Sequence, residues 1–263
     1  MSGKNNSHKK AFTLIELLVV IAIIALLLSI LIPSLKKAKR QAQAMTCKSN
    51  LKQWGTIFTM YLQDHNNSFM AEDGTGQFGL WIEPLRPYYK QGGESIRTCP
   101  TATRSWSEGG GGWFVAFDVL QPGTDEDYDV YRGSYGINNW MYNPPEGVDL
   151  WGQDATYQWR RGDVKGASQI PLFQDCWRWG GHPYDSSEPW GRPPETEDDY
   201  YAYGNGMNRF CLDRHSGNIN MLFLDMSVDK VGLKRLWKLK WSKDFDTTGY
   251  QGTWPDWMIS FPE

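Results

Sequence analysis

The sequence contains no complete motif of the kinds that mark common catalytic or nucleotide-binding sites. GxSxG, HExxH and the phosphate-binding P-loop are absent, and the single GxGxxG run at 74–79 lacks the preceding predicted strand of a dinucleotide-binding fingerprint. Histidine is also scarce, and the four residues are His8, His65, His182 and His215. With so few candidate bases and no nucleophile motif, we expect the chain not to be an enzyme.

Cysteine is equally scarce. The chain has four cysteines, namely Cys47, Cys99, Cys176 and Cys211. They form no CxxC pair and have no histidine at the spacing of a local zinc knuckle. The spacing therefore predicts no metal site.

Acidic residues are almost missing from the first 40 positions, where Glu16 is the only one. The segment after position 40 contains 20 basic and 29 acidic residues, a net charge of −9. A surface this acidic repels phosphate backbones. We therefore expect no nucleic-acid partner.

One long apolar run contrasts with a mean hydropathy of −0.55 for the whole chain. Positions 11–32 contain a single charged residue, Glu16. A helix of that length, rising about 1.5 Å per residue, crosses the ~30 Å hydrocarbon core of a bilayer. A cleaved secretory signal is disfavoured because the run ends at Pro33 and a basic cluster rather than at a small-residue site. A simple membrane anchor remains possible but gives no reason for a carboxylate within the run.

The segment Lys9-Lys10-Ala11-Phe12-Thr13-Leu14-Ile15-Glu16-Leu17-Leu18 explains that carboxylate. It resembles the type IV prepilin signature, in which a membrane peptidase cuts before the apolar run and methylates the new N-terminus. The resemblance implies cleavage between Ala11 and Phe12, and pairing of Glu16 with the Phe12 amine of a neighbouring subunit. It departs at Ala11, where the family usually has Gly. The implied partners are a prepilin peptidase, other pilin-like subunits, inner-membrane assembly machinery and the membrane itself.

Helical periodicity continues beyond Pro33 to about position 63. Apolar residues at three- and four-residue steps predict a helix with one face packed on a sheet, although a partner groove is the alternative. The stripe comprises Leu35, Ala38, Ala42, Met45, Cys47, Leu51, Trp54, Phe58 and Tyr61. The basic residues at 36–40 contact anionic headgroups or form a solvated turn.

Beyond position 65 the pattern changes to short β-type runs separated by polar loops. The predicted strands are 113–119, 134–141, 170–176, 219–224 and 228–231, with a turn at 225–227. We therefore predict an α+β, pilin-like fold, in which one long N-terminal helix packs on an antiparallel sheet with long loops. The expected organisation is a leader at 1–11, a transmembrane segment at 12–33, an amphipathic extension at 34–64 and an aromatic-rich ectodomain at 65–263.

A second resemblance covers short motifs in the ectodomain. Many bacterial prepilin-type proteins have C-SNL-Q, CP, SYG-N and a final H-x9-DG element. The matching segments here are Cys47-Lys48-Ser49-Asn50-Leu51-Lys52-Gln53, Cys99-Pro100, Ser134-Tyr135-Gly136-Ile137-Asn138, and His215 followed at the same spacing by Asp225. Met226 replaces the family's Gly, so the turn is expected to differ in type. For His215 the default expectation is a structural hydrogen bond.

The four cysteines of an exported domain suggest up to two disulfides with three possible connectivities, or buried free thiols. The second resemblance implies a Cys47–Cys99 disulfide, which leaves Cys176 with Cys211. A calcium site at Asp125, Asp127 and Asp129 is weighed against a solvated loop, which is preferred because Val130 stands where an EF-hand needs Gly.

The expected function is that of a structural subunit of a type IV pilus or type II secretion pseudopilus. The expected location is a single inner-membrane span with a periplasmic or extracellular C-terminal domain, within a filament. The alternative is an anchored surface protein that binds glycans through exposed aromatic rings. Its candidate rings are Trp106, Trp113, Trp140, Trp151, Trp159, Trp177, Trp179 and Trp190.

Overall fold

The computed structural model describes residues 14–71, 81–89, 93–105, 115–120, 130–150, 152, 154–185, 191–197 and 206–262. The chain divides between Ala42 and Gln43 into two units, which are described separately. Within the described ranges the structure combines one long helix with antiparallel and mixed sheets, which confirms the predicted α+β, pilin-like class.

Helix α1 runs from Leu14 to Asp64 and continues through Pro33. Its first part is long and apolar enough to cross a membrane, and it is the one such helix in the described ranges. The large apolar side chains of residues 14–35 are 45–84% exposed. In water this surface would be costly, so the first part of α1 is suited to lipid or to neighbouring helices.

The second part of α1 confirms the predicted stripe over its C-terminal half. Cys47, Leu51, Trp54, Phe58 and Tyr61 are all buried, because three- and four-residue steps keep one helix face against the domain. By contrast, Leu35 and Met45 in the earlier part of the stripe are exposed.

The helix ends close to its predicted limit. Asn66 and Asn67 adopt left-handed φ angles of 53° and 59°. The Asn67 amide donates to the carbonyl of Leu62 at 2.7 Å, which satisfies one of the last helical carbonyls.

The main sheet has five strands in the order β6-β4-β5-β7-β8. Their bounds are Tyr135–Asn138 for β4, Pro171–Asp175 for β5, Gly180–Gly181 for β6, Asn218–Phe223 for β7 and Val228–Gly232 for β8. Neighbouring strands pair antiparallel, except for the short parallel pairing of β4 with β6. The four predicted strands in this part of the chain are therefore confirmed, except that the second half of the predicted strand 134–141 is the 3₁₀ helix Asn139–Met141.

A second, three-stranded sheet has the order β1-β2-β3. Strand β1 is Arg104–Ser105, β2 is Val115–Leu120 and β3 is Val130–Gly133. Strand β2 pairs parallel with β1 and antiparallel with β3. Two short α-helices are also described, α2 at Ile82–Tyr89 and α3 at Asp256–Ile259, together with several 3₁₀ helices.

The five-stranded sheet is buried on both faces. Leu222 of β7 belongs to the hydrophobic cluster that contains Trp54 and Phe58 of α1. Its neighbours Met221 and Phe223 belong to a second cluster around Trp237 and Trp241. Because successive strand residues point to opposite faces, β7 separates the two clusters, and its polar residue Asn220 is fully buried.

The turn between β7 and β8 keeps a left-handed residue although the chain has Met instead of Gly there. Met226 adopts a φ of 63°. The Asp225 carboxylate accepts hydrogen bonds from the Ser227 amide at 2.9 Å and the Ser227 hydroxyl at 2.6 Å. These bonds hold the turn that a glycine would adopt without steric cost.

Candidate functional site

Four polar side chains from separate elements meet inside the domain. Cys47 lies on the buried face of α1, and Cys99 follows the short 3₁₀ helix Gly93–Ile96. Asp175 ends β5, and His215 lies just before β7. All four are buried, and their donor atoms lie within 4.8 Å of one another. We call this set the Cys-Asp-His cluster.

The contacts within the Cys-Asp-His cluster converge on one small volume. His215 Nε2 lies 3.1 Å from Asp175 Oδ2 and 3.5 Å from Cys99 Sγ. Cys47 Sγ lies 3.6 Å from each carboxylate oxygen of Asp175. Cys47 and Cys99 are also hydrogen-bonded to each other, so all four side chains are in mutual contact.

Asp175 is held from outside the cluster by a buried arginine and by a backbone amide. Arg214 Nη1 lies 3.2 Å from Asp175 Oδ1, and both side chains are 0% exposed. The same guanidinium donates to the carbonyls of Ser134 and Cys176. The Asn220 amide donates to Asp175 Oδ2 at 2.9 Å. The carboxylate thus has a fixed orientation towards Cys47 and His215.

For Asp175 and His215, the effect of neighbouring charges on the pKa is larger than the opposing effect of burial. Burial opposes ionisation of Asp175, but the charges of His215 and Arg214 lower its pKa to about 2. Burial opposes protonation of His215, but Asp175 raises its pKa to about 9. These shifts favour a carboxylate beside an imidazolium.

The pKa values of the Cys47 and Cys99 thiols are shifted in opposite directions. Burial, the hydrogen bond with Cys99 and the charge of Asp175 raise the pKa of Cys47 well above its ordinary value. Burial also opposes ionisation of Cys99, but hydrogen bonds from Cys47 and His215 and the charge of Arg214 lower its pKa to about 6. The cluster therefore favours a thiolate at Cys99.

The geometry is not that of a catalytic relay. In a nucleophile–histidine–carboxylate relay, the histidine uses one ring nitrogen for the nucleophile and the other for the carboxylate. Here Cys99 and Asp175 both approach Nε2 of His215. All four residues are also buried in the part of the chain that the structure describes. Thiolates, imidazole and carboxylate are instead the groups that hold zinc in proteins.

Short motifs from the second resemblance surround this cluster. The hydroxyl of Ser134 accepts from the Cys99 amide at 2.6 Å, and the Tyr135 hydroxyl donates to Cys47 Sγ at 3.3 Å. Asn50 donates to the carbonyl of Thr98 at 3.0 Å. The C-SN, CP and SYG-N segments therefore meet around Cys47 and Cys99.

Glycine in the SYG-N segment has a steric reason. A Cβ atom at Gly136 would lie 2.5 Å from the Arg178 carbonyl oxygen and 2.8 Å from Cys176 Sγ. A side chain at this position would separate strand β4 from the chain that carries Arg178, next to the Cys-Asp-His cluster.

The predicted disulfides are not confirmed, because all four cysteines are free thiols in the structure. Cys47 and Cys99 come close together, as the resemblance implied, but they share the space with Asp175 and His215. Cys176 accepts a hydrogen bond from the Arg178 amide, and Cys211 contacts the sulfur of Met258. Burial raises the pKa of Cys176 to about 12 and that of Cys211 further, as expected for inert core thiols.

For His215 the sequence predicts a structural hydrogen bond without a named partner. Its partner is Asp175, whereas Asp225 is exposed and shapes the turn before β8. Sequence reasoning missed Asp175 and Arg214. The available signals were a carboxylate at the end of a predicted apolar strand and a basic residue directly before His215.

Other predicted site residues lie away from this cluster. Glu16 is in the first turn of α1. The processing residues Ala11 and Phe12 lie outside the described residues. The acidic loop residues Asp125, Asp127 and Asp129 lie outside them as well.

The described candidate tryptophans pack inside the domain. Trp140 and Trp177 are buried, while Trp159 and Trp179 are half-buried against the hydrophobic clusters. The indole of Trp140 donates to the Pro183 carbonyl, and that of Trp159 to the Trp241 carbonyl. These rings serve as core and do not form a sugar-stacking face. The remaining candidates, Trp106, Trp113, Trp151 and Trp190, lie outside the described residues.

Comparisons with known proteins point to one family. Residues 6–32 match the prokaryotic N-terminal methylation motif. The chain is 35% identical over 110 residues to the type IV wide pilus major component PilA4 of Thermus thermophilus, covering 41% of this chain and 82% of that protein. No solved structure shows a significant match to the chain. The methylation motif, the long N-terminal helix and this relative together show that the chain belongs to the type IV pilin family.

Proposed function

We propose that the chain is a subunit of a type IV pilus or a type II secretion pseudopilus. A prepilin peptidase cuts it between Ala11 and Phe12 and methylates Phe12. The observation that carries this proposal is that the methylation motif at 6–32 overlaps the exposed apolar part of α1. A surface of that kind is suited first to the bilayer and then to the helices of neighbouring subunits.

The proposed location follows from the same helix. One span anchors the chain in the inner membrane, with the C-terminal domain on the periplasmic or extracellular side. Other pilin-like subunits cover the exposed leucines and isoleucines of residues 14–35 after assembly. Inner-membrane assembly machinery supplies the transfer from bilayer to filament.

The test of processing is the N-terminal sequence and intact mass of the chain recovered from membranes, with and without the prepilin peptidase. We expect an N-terminus at Phe12, heavier by one methyl group, in cells that have the peptidase. We expect the uncut chain in cells that lack it. An Ala11→Gly variant, which restores the residue usual in the family, is the control and should be processed at least as fast.

An N-terminus at Met1 or Ser2 in peptidase-containing cells would contradict the proposal. The chain would then be an anchored surface protein, and glycan binding would become the leading alternative.

A further inference from the structure

We propose that the Cys-Asp-His cluster is a structural zinc site whose ligands are Cys47, Cys99, Asp175 and His215. This proposal is independent of filament assembly, because it concerns how the folded domain is held together. The argument rests on donor types, distances, charge and the surrounding hydrogen bonds.

The short contacts in the cluster are close to those around a tetrahedral ion, and any wider separation, up to 4.8 Å, would have to shorten when the ion binds. Zinc bonds of about 2.0–2.3 Å to nitrogen, oxygen and sulfur place neighbouring ligand atoms about 3.3–3.8 Å apart. The contacts from His215 Nε2 to Cys99 Sγ, at 3.5 Å, and from Cys47 Sγ to Asp175, at 3.6 Å, lie within that range. The Nε2-to-Oδ2 contact of 3.1 Å needs to lengthen by only a few tenths of an ångström.

A metal ion accounts for the close approach of the four side chains better than hydrogen bonds alone. His215 Nε2 carries at most one proton, yet both Cys99 Sγ and Asp175 Oδ2 approach it. A metal at the centre would accept an electron pair from each of the four donors at once. No donor would then compete for the same proton.

The charges balance when zinc is bound. Two thiolates and one carboxylate carry three negative charges, and Zn²⁺ with the Arg214 guanidinium carries three positive charges. A neutral histidine adds none. A buried site of this size strongly favours a net charge of zero.

The surrounding groups support the ligands from outside. Arg214 forms an ion pair with Oδ1 of Asp175, and Oδ2 of the same carboxylate faces the cluster. The hydroxyls of Thr101 and Tyr135 lie 2.9 Å from Cys99 Sγ and 3.3 Å from Cys47 Sγ. Such outer partners orient metal ligands and tune their basicity.

The donor set also selects the metal and its role. Thiolates disfavour calcium and magnesium, which prefer oxygen ligands. Four protein ligands in a buried volume leave no open position for substrate, which is typical of structural zinc. The ion would fasten α1, through Cys47, to strand β5 and to the segment before β7.

The test is zinc content of the full-length chain, purified in detergent under reducing conditions with zinc supplied. We expect one zinc per chain by elemental mass spectrometry. Cys47→Ser, Cys99→Ser and His215→Ala should each lose it, whereas the matched core variants Cys176→Ala and Cys211→Ala should keep it. Thr101→Val removes only an outer hydroxyl and should weaken zinc binding by roughly tenfold.

A second measurement uses the wild type alone, so that it remains informative if the ligand variants fail to fold. Cobalt added to the metal-stripped wild type should give the visible bands of tetrahedral Co²⁺ and a thiolate-to-cobalt charge-transfer band. Two results would overturn the proposal. The first is that the purified wild type contains no zinc and that added cobalt shows only the spectrum of the hydrated ion. The second is a Cys47–Cys99 disulfide in the chain isolated from cells without reductant. The disulfide would be visible as a mass lower by two hydrogen atoms.

Discussion

Replacing Asp175 by Asn is expected to lower the free energy of unfolding by about 3–5 kcal/mol, the usual cost of removing one partner from a buried ion pair. Asp175 and Arg214 are both 0% exposed, and the carboxylate also accepts from His215 and the Asn220 amide. The amide would leave a buried guanidinium without its counter-charge. Urea denaturation of the full-length chain in detergent, followed by tryptophan fluorescence, measures the change.

Asp163 provides the matched control. It also pairs with an arginine, Arg161, at 2.6 Å, but the two side chains are about half exposed. Solvent screens such a pair, so Asp163→Asn should leave the unfolding midpoint unchanged within error. Equal small effects of the two variants would show that Asp175 does not hold the domain together. The prediction applies with or without zinc, because the Arg214 contact is needed in both states.

Replacing Glu16 by Ala is expected to preserve cleavage at Phe12 but to reduce incorporation into filaments by on the order of tenfold or more. In the proposed assembly the Glu16 carboxylate pairs with the Phe12 amine of the next subunit, within an apolar bundle. An unpartnered charge costs on the order of 2.5–3.5 kcal/mol at the centre of a membrane helix and less towards its ends, where Phe12 and Glu16 lie. The Phe12 amine would therefore oppose stacking in the variant. The measurement is the ratio of chain in sheared filaments to chain in membranes.

Ser29→Ala is the matched control within the same apolar helix. The Ser29 hydroxyl bonds to the Leu26 carbonyl of its own helix, so its loss should not affect assembly. Normal filament incorporation of Glu16→Ala would contradict the proposed register. Loss of cleavage in that variant would assign Glu16 to recognition by the peptidase instead.

The helix was the most predictable part of the structure. A 22-residue run with only one charge predicts a segment long enough to cross a membrane. Apolar residues at steps of three and four predict the buried helix face from Cys47 to Tyr61. Both signals are local and arise from helix geometry alone. The earlier stripe residues Leu35 and Met45 are exposed in the described part of the chain, so their periodicity alone does not show what they pack against.

The cluster was less predictable because its residues are far apart in sequence. Cys47, Cys99, Asp175 and His215 come from four separate segments that are brought together by the packing of α1 on β5 and β7. A search for local zinc spacing could not find this set. The motifs mark Cys47, Cys99 and His215, but none of them includes Asp175, which contacts His215.

A zinc ion and a disulfide would both link α1 to the rest of the domain. Each would connect Cys47 on α1 to Cys99 and so fasten the emerging helix to its domain. Zinc would also include Asp175 and His215, which a disulfide would leave as a hydrogen-bonded pair. The zinc content of Cys47→Ser and His215→Ala therefore separates the two cases.

The most direct test of the proposed function is the identity and N-terminus of this chain in filaments isolated from cells. Filaments labelled by an antibody against residues 65–263 should contain a chain that begins at Phe12 and should be absent when the prepilin peptidase is removed. Chain that begins at Met1, dispersed in the membrane and never found in filaments, would contradict the account.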